Sequence, residues 1–128
     1  MPENGQSLMD TGTSVRNVIA SAVQNGDIAV KPAPFALDVN EKDRAWVAAL
    51  STPQPIATFS DKITVTGARD RIAKKTYIRA TGSPSVPFDR YAAQVAQAVG
   101  WRVHELPCHH MVMVDMPDEL AELLVLSA

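Results

Sequence analysis

From residue 75 onward the sequence alternates between β-rich and helical segments, and this alternation restricts the fold more than any other feature. Residues 75–80 form a β-rich run, and apolar side chains recur at helical spacing over residues 88–99. A second β-rich run at residues 102–106 precedes a final amphipathic helix that Asp115 is expected to cap. The connecting loops have lengths typical of parallel α/β units. The sequence therefore predicts two parallel strands, each followed by a helix.

The first 60 residues contain two helical patterns but no convincing core strand. One helix is predicted to begin after Ser14 and to end at Gly26, and a second spans residues 41–50 with Asp38 or Asn40 as its cap. The segment between these helices contains two prolines and is predicted to be an extended connector.

Two parallel strands do not form a stable sheet by themselves. Parallel sheets are covered on both faces and usually contain more strands. The remaining strand-like run, residues 63–66, is very short. The chain is therefore predicted to be part of a larger sheet.

Composition excludes several functional classes. Apolar residues make up 46% of the chain and charged residues 20%, as in soluble globular domains, and the net charge of −2 gives no reason to expect binding to nucleic acid or to a membrane. The basic residues between Arg69 and Arg79 are interrupted by acidic and apolar ones. Cys108 is the single cysteine, and the start of the chain lacks a signal-peptide pattern, so a cytoplasmic location is expected.

The segment WRVHELPCHHMVMVDMPDELAELL, residues 101–124, combines a strand, a turn rich in histidine and a helix. An imidazole held between a strand end and a helix start is a common way to present a general base. The same histidines, with Cys108, could suggest zinc, but their side chains are expected to point in different directions and no second ligand cluster exists. We therefore expect no metal and interpret Cys108 as a buried, inert thiol.

Three pieces of the sequence resemble a known family. They are WVAALSTPQP at residues 46–55, KTYIRATGSPSVPFDR at residues 75–90 and HHMVMVDMPDELAELL at residues 109–124. Together they resemble the C-terminal half of an α/β-hydrolase, in the branch that holds plant methylesterases, hydroxynitrile lyases and bacterial esterase-like proteins. The fold class implied is α/β, with residues 1–60 as a loop and helical cap segment and residues 61–128 as the C-terminal part of the core.

The last of these pieces implies a catalytic residue. In the family pattern the catalytic histidine lies three residues before a methionine, and a proline then opens the final helix. Met113 and Pro117 occupy these two positions, so the resemblance implies that His110 is the catalytic base, while His109 fills a position often taken by glycine.

Two features of the family's catalytic machinery are not found in this sequence. The nucleophile of such hydrolases is a serine in a G-x-S-x-G elbow, and none of the serines here lies in that motif. In the family the elbow precedes the region that begins at Pro2, so the chain is predicted to start after its nucleophile. In many relatives the acidic residue would fall near Ser83, where Asp89 is the nearest but a weak substitute. In other hydrolases the acid follows the preceding core strand, which here would lie upstream of Met1.

The activity implied by the resemblance is hydrolysis of a small-molecule carboxylic ester without a cofactor. Hydroxynitrile lyase chemistry is the alternative within the family. A different hypothesis is that the chain is not an enzyme by itself but a truncated hydrolase fragment, or one half of a two-chain hydrolase. Such a fragment would expose sheet edges and apolar faces, and it is expected to bind an N-terminal half chain or to self-associate.

Overall fold

The computed structural model describes residues 3–32 and 38–128, with only the backbone of Ser14. The chain divides into two compact units, one formed by Met1–Ala33 with Ser51–Arg69 and the other by Pro34–Leu50 with Asp70–Ala128. The division at residue 60 between a cap and a core concerns the architecture of the family and stays a prediction.

The first unit contains short elements. It comprises a 3₁₀ helix at Leu8–Thr11, α1 at Thr13–Gln24, and the strands β1 at Ala29–Val30 and β2 at Gln54–Pro55, which pair antiparallel, followed by α3 at Ala57–Ser60. Helix α1 begins at Thr13 with Gly12 as its N-cap, so the predicted cap, Ser14, is wrong by two residues. The left-handed φ of 79° at Gly26 confirms its predicted place just beyond the end of the helix.

The strand predicted at residues 63–66 does not form. Ile63 donates a hydrogen bond to the carbonyl of Gln6 and accepts one from the N–H of Gly5, both at 2.9 Å. These bonds join the run to a loop rather than to a strand. Residues 63–66 are all exposed, so the alternation of apolar and polar residues does not separate a buried face from a solvent face.

The second unit holds the predicted α/β pattern. A 3₁₀ turn at Ala68–Arg71 precedes it, and its elements are α2 at Glu41–Leu50, β3 at Lys75–Ala80, α4 at Val86–Ala96, β4 at Trp101–Leu106, α5 at Val112–Asp115 and α6 at Pro117–Ser127. Strands β3 and β4 are parallel and pair in register from Lys75 with Trp101 to Ala80 with Leu106. This confirms the order strand, helix, strand, helix.

The two faces of this sheet bury different side chains. On one face Tyr91 of α4 packs edge-on against Tyr77, with ring centroids 5.1 Å apart, and against Trp101 at 6.3 Å. On the other face Ala80, Leu106 and Cys108 form a buried cluster, which partly buried side chains of the strand and of the last two helices cover: Ile78, Val112, Met116 and Leu123. Alternation along each strand sends neighbouring residues to opposite faces.

The turns that follow β3 and β4 are bonded to each other. Gly82 donates its N–H to the carbonyl of Cys108 at 2.9 Å, and Thr81 donates to Leu106 at 2.8 Å. A Cβ atom added at Gly82 would lie only 2.7 Å from that Cys108 oxygen. Only glycine fits at position 82, because the backbone of Cys108 lies too close for a side chain. The turn after β3 is thus hydrogen-bonded directly to the turn after β4, which carries the histidines.

A buried arginine fixes the β3–α4 turn. The guanidinium of Arg79 donates to the carbonyls of Ala80 and Ser83 and pairs with the Asp89 carboxylate at 2.7 Å. The side chain of Arg79 is only 5% exposed. Its charge is thus satisfied by three acceptors, as burial of a cation requires.

Several predicted apolar faces are not covered in the structure. Trp46 and Leu50 of α2 are exposed, as is Leu124 of α6, although their spacing is that of the apolar face of an amphipathic helix. Helix α4 ends at Ala96, so Val99 lies beyond it and is almost fully exposed. Among the helices of residues 3–32 and 38–128, none has the length and apolarity needed to span a membrane.

Candidate functional site at the histidine turn

The two adjacent histidines lie in the turn between β4 and α5, beyond the carboxyl end of the parallel strand pair. The ring of His110 is half-buried and stacks on Phe88 of α4, with centroids 5.4 Å apart and planes 10° from parallel. The stack limits rotation of the imidazole about its last torsion. His110 therefore has a defined ring plane at the end of the sheet where open α/β folds place their ligands.

His109 is bonded to a carboxylate. Its ring Nδ1 lies 2.7 Å from Oδ2 of Asp115, and its backbone N–H donates to the same oxygen at 2.8 Å. The imidazole is 42% exposed, whereas the carboxylate is only 5% exposed. The structure thus gives the carboxylate contact to the first histidine of the pair.

Asp115 also binds the segment that precedes α2. Its Oδ1 accepts hydrogen bonds from the backbone N–H and the side-chain Nδ2 of Asn40, both at 2.8 Å. Burial of the carboxylate acts to raise its pKa, but the hydrogen bonds from Asn40 and His109 act in the opposite direction and prevail, so the pKa falls to about 2. Asp115 is therefore ionised at neutral pH.

The predicted role of Asp115 as a helix cap is wrong. Helix α6 begins at Pro117, its N-cap residue is Met116, and no side chain provides a capping hydrogen bond. Asp115 is instead the last residue of the short helix α5. Both of its oxygens are used by partners outside α6, which leaves no acceptor for the N–H groups of that helix.

Asp38 contacts the turn one residue further on. Its Oδ2 accepts the backbone N–H of His110 at 3.3 Å, and its carbonyl accepts that of Met111 at 3.4 Å. Val39, between Asp38 and Asn40, is fully buried. Residues 38–40 therefore run alongside the histidine turn and fix its backbone from one side.

Comparison with known proteins identifies the fold. No family model matches the chain. The chain is 33% identical to a carbendazim hydrolyzing esterase from Nocardioides sp. (strain SG-4G), over 97% of its own length and 56% of that protein's length. It also superposes on an extracellular α/β-hydrolase from a Paenibacillus species with a TM-score of 0.76 at 20% identity, covering 100% of this chain and 58% of the other. The fold is that of part of an α/β-hydrolase.

This result confirms the predicted fold class and the resemblance on which it rested. The Paenibacillus protein is described as sharing structural and functional homology with tobacco salicylic acid binding protein 2. The chain spans little more than half the length of either relative. The sequence relative is named as an esterase and the structural relative as an α/β-hydrolase.

Asp89, Ser83 and Cys108, which were also candidates in the sequence, are bonded or buried in the structure. Asp89, considered as a substitute for the family's acid, pairs with Arg79, and Ser83 is buried with its carbonyl bound to the same arginine. Cys108 is 5% exposed, and burial raises the pKa of its thiol, with smaller contributions from Asp115 and other nearby negative charge. The predicted burial of Cys108 is therefore confirmed, and the raised pKa favours the neutral thiol.

The histidines and Cys108 do not converge on a common point. Over residues 3–32 and 38–128, no group of three or more His, Cys, Asp or Glu side chains is arranged to hold a metal ion. His104 lies within β4, two residues before the strand ends, while His109 and His110 lie in the turn after it.

Sequence reasoning missed the polar residues that hold the histidine turn. The sequence pattern predicts Asp115 and Asn40 only as helix caps. The one available signal was Asp115 itself, a carboxylate within the apolar run MVMVDM directly after two histidines. A buried charge in such a run requires partners, and the nearest candidates along the chain are those imidazoles.

Proposed function

We propose that this chain carries the histidine-bearing end of a serine hydrolase that cleaves carboxylic esters, with His110 as the general base. The observation that carries the proposal is the position of the His110 ring, stacked on Phe88 in the turn beyond β4, within an α/β-hydrolase fold. The 33% identity to an esterase over nearly the whole chain supports the same class of reaction.

In this proposal His110 accepts the proton of a serine hydroxyl as the oxygen attacks the ester carbonyl. It then donates that proton to the departing alkoxide, leaving an acyl-enzyme. A water molecule, deprotonated by the same imidazole, attacks the acyl group; the bond to the serine oxygen breaks, the imidazolium returns its proton to that oxygen, and the carboxylic acid is released. General-base catalysis of this kind contributes roughly 10²–10⁴-fold and requires the nucleophile within hydrogen-bond distance.

The serine is proposed to come from polypeptide outside these 128 residues, because the sequence holds no G-x-S-x-G elbow. An N-terminal half, as a separate chain or as a continuation of this one, fits the fraction of the relatives that this chain leaves unmatched. Exposed Trp46 and Leu50 on α2 give such a partner, or a second copy of the chain, an apolar surface to cover.

The substrate is proposed to be a small-molecule ester, and no cofactor is required for the steps above. The relative from Nocardioides is named for its hydrolysis of carbendazim, which makes that compound a reasonable first substrate to test. The single cysteine, buried as a thiol, fits a reducing compartment, and we propose a cytoplasmic location that cell fractionation can check.

The experiment begins with intact mass and size-exclusion chromatography of natively purified material. Turnover of a short-chain p-nitrophenyl ester and of carbendazim is then measured, with and without a serine-directed fluorophosphonate. We expect a labelled longer chain or second chain, and loss of turnover by His110→Ala but not by His104→Ala, which removes an imidazole from within β4.

Other outcomes would contradict the proposal. A lone chain of the calculated mass that is neither labelled nor active would leave a non-catalytic hydrolase fragment. Release of cyanide from a cyanohydrin, without ester turnover, would favour the lyase alternative. Equal loss of turnover in the His104 and His110 variants would mean that the substitutions act through folding, and it would remove the assignment of His110.

A further inference from the structure

The geometry points to Asp115 as a positioning residue, which holds the turn carrying His110 by binding His109 on one side and Asn40 on the other. We call Asn40, His109 and Asp115 the carboxylate clamp. This inference rests on the proposed function in so far as His110 is the base. The inference goes beyond the proposed function because it assigns different roles to the two adjacent histidines. His109 holds the turn in place, and His110 acts as the base.

The first observation that supports this inference is that both oxygens of the Asp115 carboxylate are fully hydrogen-bonded. Each oxygen of Asp115 accepts two hydrogen bonds, Oδ1 from the N–H and Nδ2 of Asn40 and Oδ2 from the N–H and Nδ1 of His109, at distances between 2.7 and 2.8 Å. Hydrogen bonds to an ionised group are shorter and stronger than those between neutral groups. The Asp115 carboxylate is only 5% exposed and accepts four hydrogen bonds, so its orientation is fixed.

The second support is the state that this bond imposes on His109. An ionised carboxylate only accepts hydrogen bonds, so Nδ1 of His109 must carry a proton. When neutral, His109 is therefore the Nδ1–H tautomer. Its ring is tied to a residue of its own turn, six positions along the chain. The backbone N–H groups of His109 and His110 are then held by neighbouring carboxylates, Asp115 and Asp38.

The third support is the second attachment of Asn40. Its Oδ1 accepts the N–H of Asp43 at 3.1 Å and its Nδ2 donates to the Asp43 carboxylate at 2.8 Å, so the same side chain caps α2. The clamp therefore fixes the beginning of α2 to the histidine turn, although the two are 75 residues apart in sequence. Movement of either would require the buried carboxylate to lose partners.

The test uses Asp115→Asn, which keeps the size of the side chain but replaces an acceptor oxygen with a donor. Asp118→Asn, an exposed position in the first turn of α6, is the matched control. In ¹⁵N-labelled protein, imidazole correlation spectra report the tautomer of His109 and the environment of the His110 ring. We expect the Nδ1–H tautomer of His109 to be lost and the His110 signals to shift in Asp115→Asn only.

Kinetics on the active, complete enzyme supply a second readout. Because the clamp affects orientation of the base rather than contact with substrate, Asp115→Asn is expected to lower kcat about 10- to 100-fold with little change in KM. His109→Gln is expected to have the smaller part of this effect, and His110→Gln to abolish turnover. If Asp115→Asn fails to fold, Asn40→Ala and His109→Gln probe the clamp from its two sides.

The outcomes separate this inference from the proposed function. Unchanged His110 signals and unchanged kcat in Asp115→Asn would overturn the clamp. Loss of turnover in His109→Gln as complete as in His110→Gln, with His110 signals unmoved, would make His109 the base and overturn the division of work. Spectral changes as expected in a protein without esterase activity would uphold the clamp and contradict only the proposed function.

Discussion

The two ends of the β3–β4 sheet are built differently. At the carboxyl end, the two turns are bonded to each other and a buried carboxylate is shared between His109 and Asn40. At the amino end, an open cavity of about 240 Å³ is lined by basic and aromatic side chains, including Lys74, Lys75 and Trp101. The carboxylate at the carboxyl end is buried and bonded on both oxygens, whereas the lysines at the amino end are exposed or half-buried.

The proposed site therefore does not coincide with the cavity at the amino end. The ammonium of Lys75 lies 6.0 Å from the centre of the Trp101 ring, a distance at which attraction to the ring is weak. Ligands of open α/β sheets bind beyond the carboxyl ends of the strands, where fixed polar groups converge. The function proposed for His110 lies at the carboxyl end, and the variants below compare the two ends.

The largest effect on stability is expected from Gly100→Ala at the amino end. Gly100 has φ +81°, and a Cβ atom there would lie 2.6 Å from the carbonyl oxygen of Ala73. Left-handed backbone and overpacking together cost about 2–5 kcal/mol in free energy of unfolding, measured with urea. Gly26→Ala is the control, because it shares the left-handed φ without any close atom and should cost about 1–2 kcal/mol.

If the two glycine variants were equally destabilised, the contact with Ala73 would carry no cost. The amino end would then be looser than the structure indicates. The backbone around the open cavity would then be able to shift and make room for a side chain. The amino end would differ even more from the carboxyl end, whose turns are closely hydrogen-bonded.

The second effect concerns the two arginines of the sheet. Arg79→Met removes the donor that satisfies the carbonyls of Ala80 and Ser83 near the carboxyl end, and we expect a loss of about 1–3 kcal/mol. Arg102→Met, at an exposed position of β4, should change the unfolding free energy by less than about 0.5 kcal/mol. Equal losses of unfolding free energy in the two variants would show that the buried Arg79 contributes no more to stability than the exposed Arg102.

Strand and helix patterns were sufficient to predict the sheet and its connections. The predicted and observed bounds agree for β3 and α2, and β4 differs by one residue. These elements depend on local periodicity, which a single sequence contains in full. The histidine turn was likewise located, because strand, turn and helix follow one another within residues 101–124.

The contacts inside the site were not predictable in the same way. Asp115 precedes a proline that opens a helix, so the local rule assigns it to a cap, yet its bonds to Asn40 span 75 residues. Trp46 and Leu50 show the opposite failure. Their spacing correctly indicates an apolar helix face, but periodicity does not say whether another surface covers that face, and here it is exposed.

The third effect is a dependence of stability on pH that originates at the carboxyl end. Asp115 has its pKa lowered from 3.8 to about 2, so its ionised form stabilises the fold. The contribution is complete above about pH 5 and is lost as the pH falls through the folded-state pKa of about 2, with a magnitude of about 1–2 kcal/mol. Unfolding free energies measured by urea titration between pH 5 and 2 should show this loss, and Asp115→Asn should lack it.

The smallest effect is expected at the basic amino end. Lys75→Gln removes the ammonium that lies above Trp101, and we expect a change in unfolding free energy of about 0.5 kcal/mol or less, because both groups retain contact with solvent. Thermal melts with and without millimolar phosphate provide the measurement. Stabilisation by phosphate that disappears in Lys75→Gln would reveal an anion site at this end, and the assignment of all binding chemistry to the carboxyl end would then be wrong.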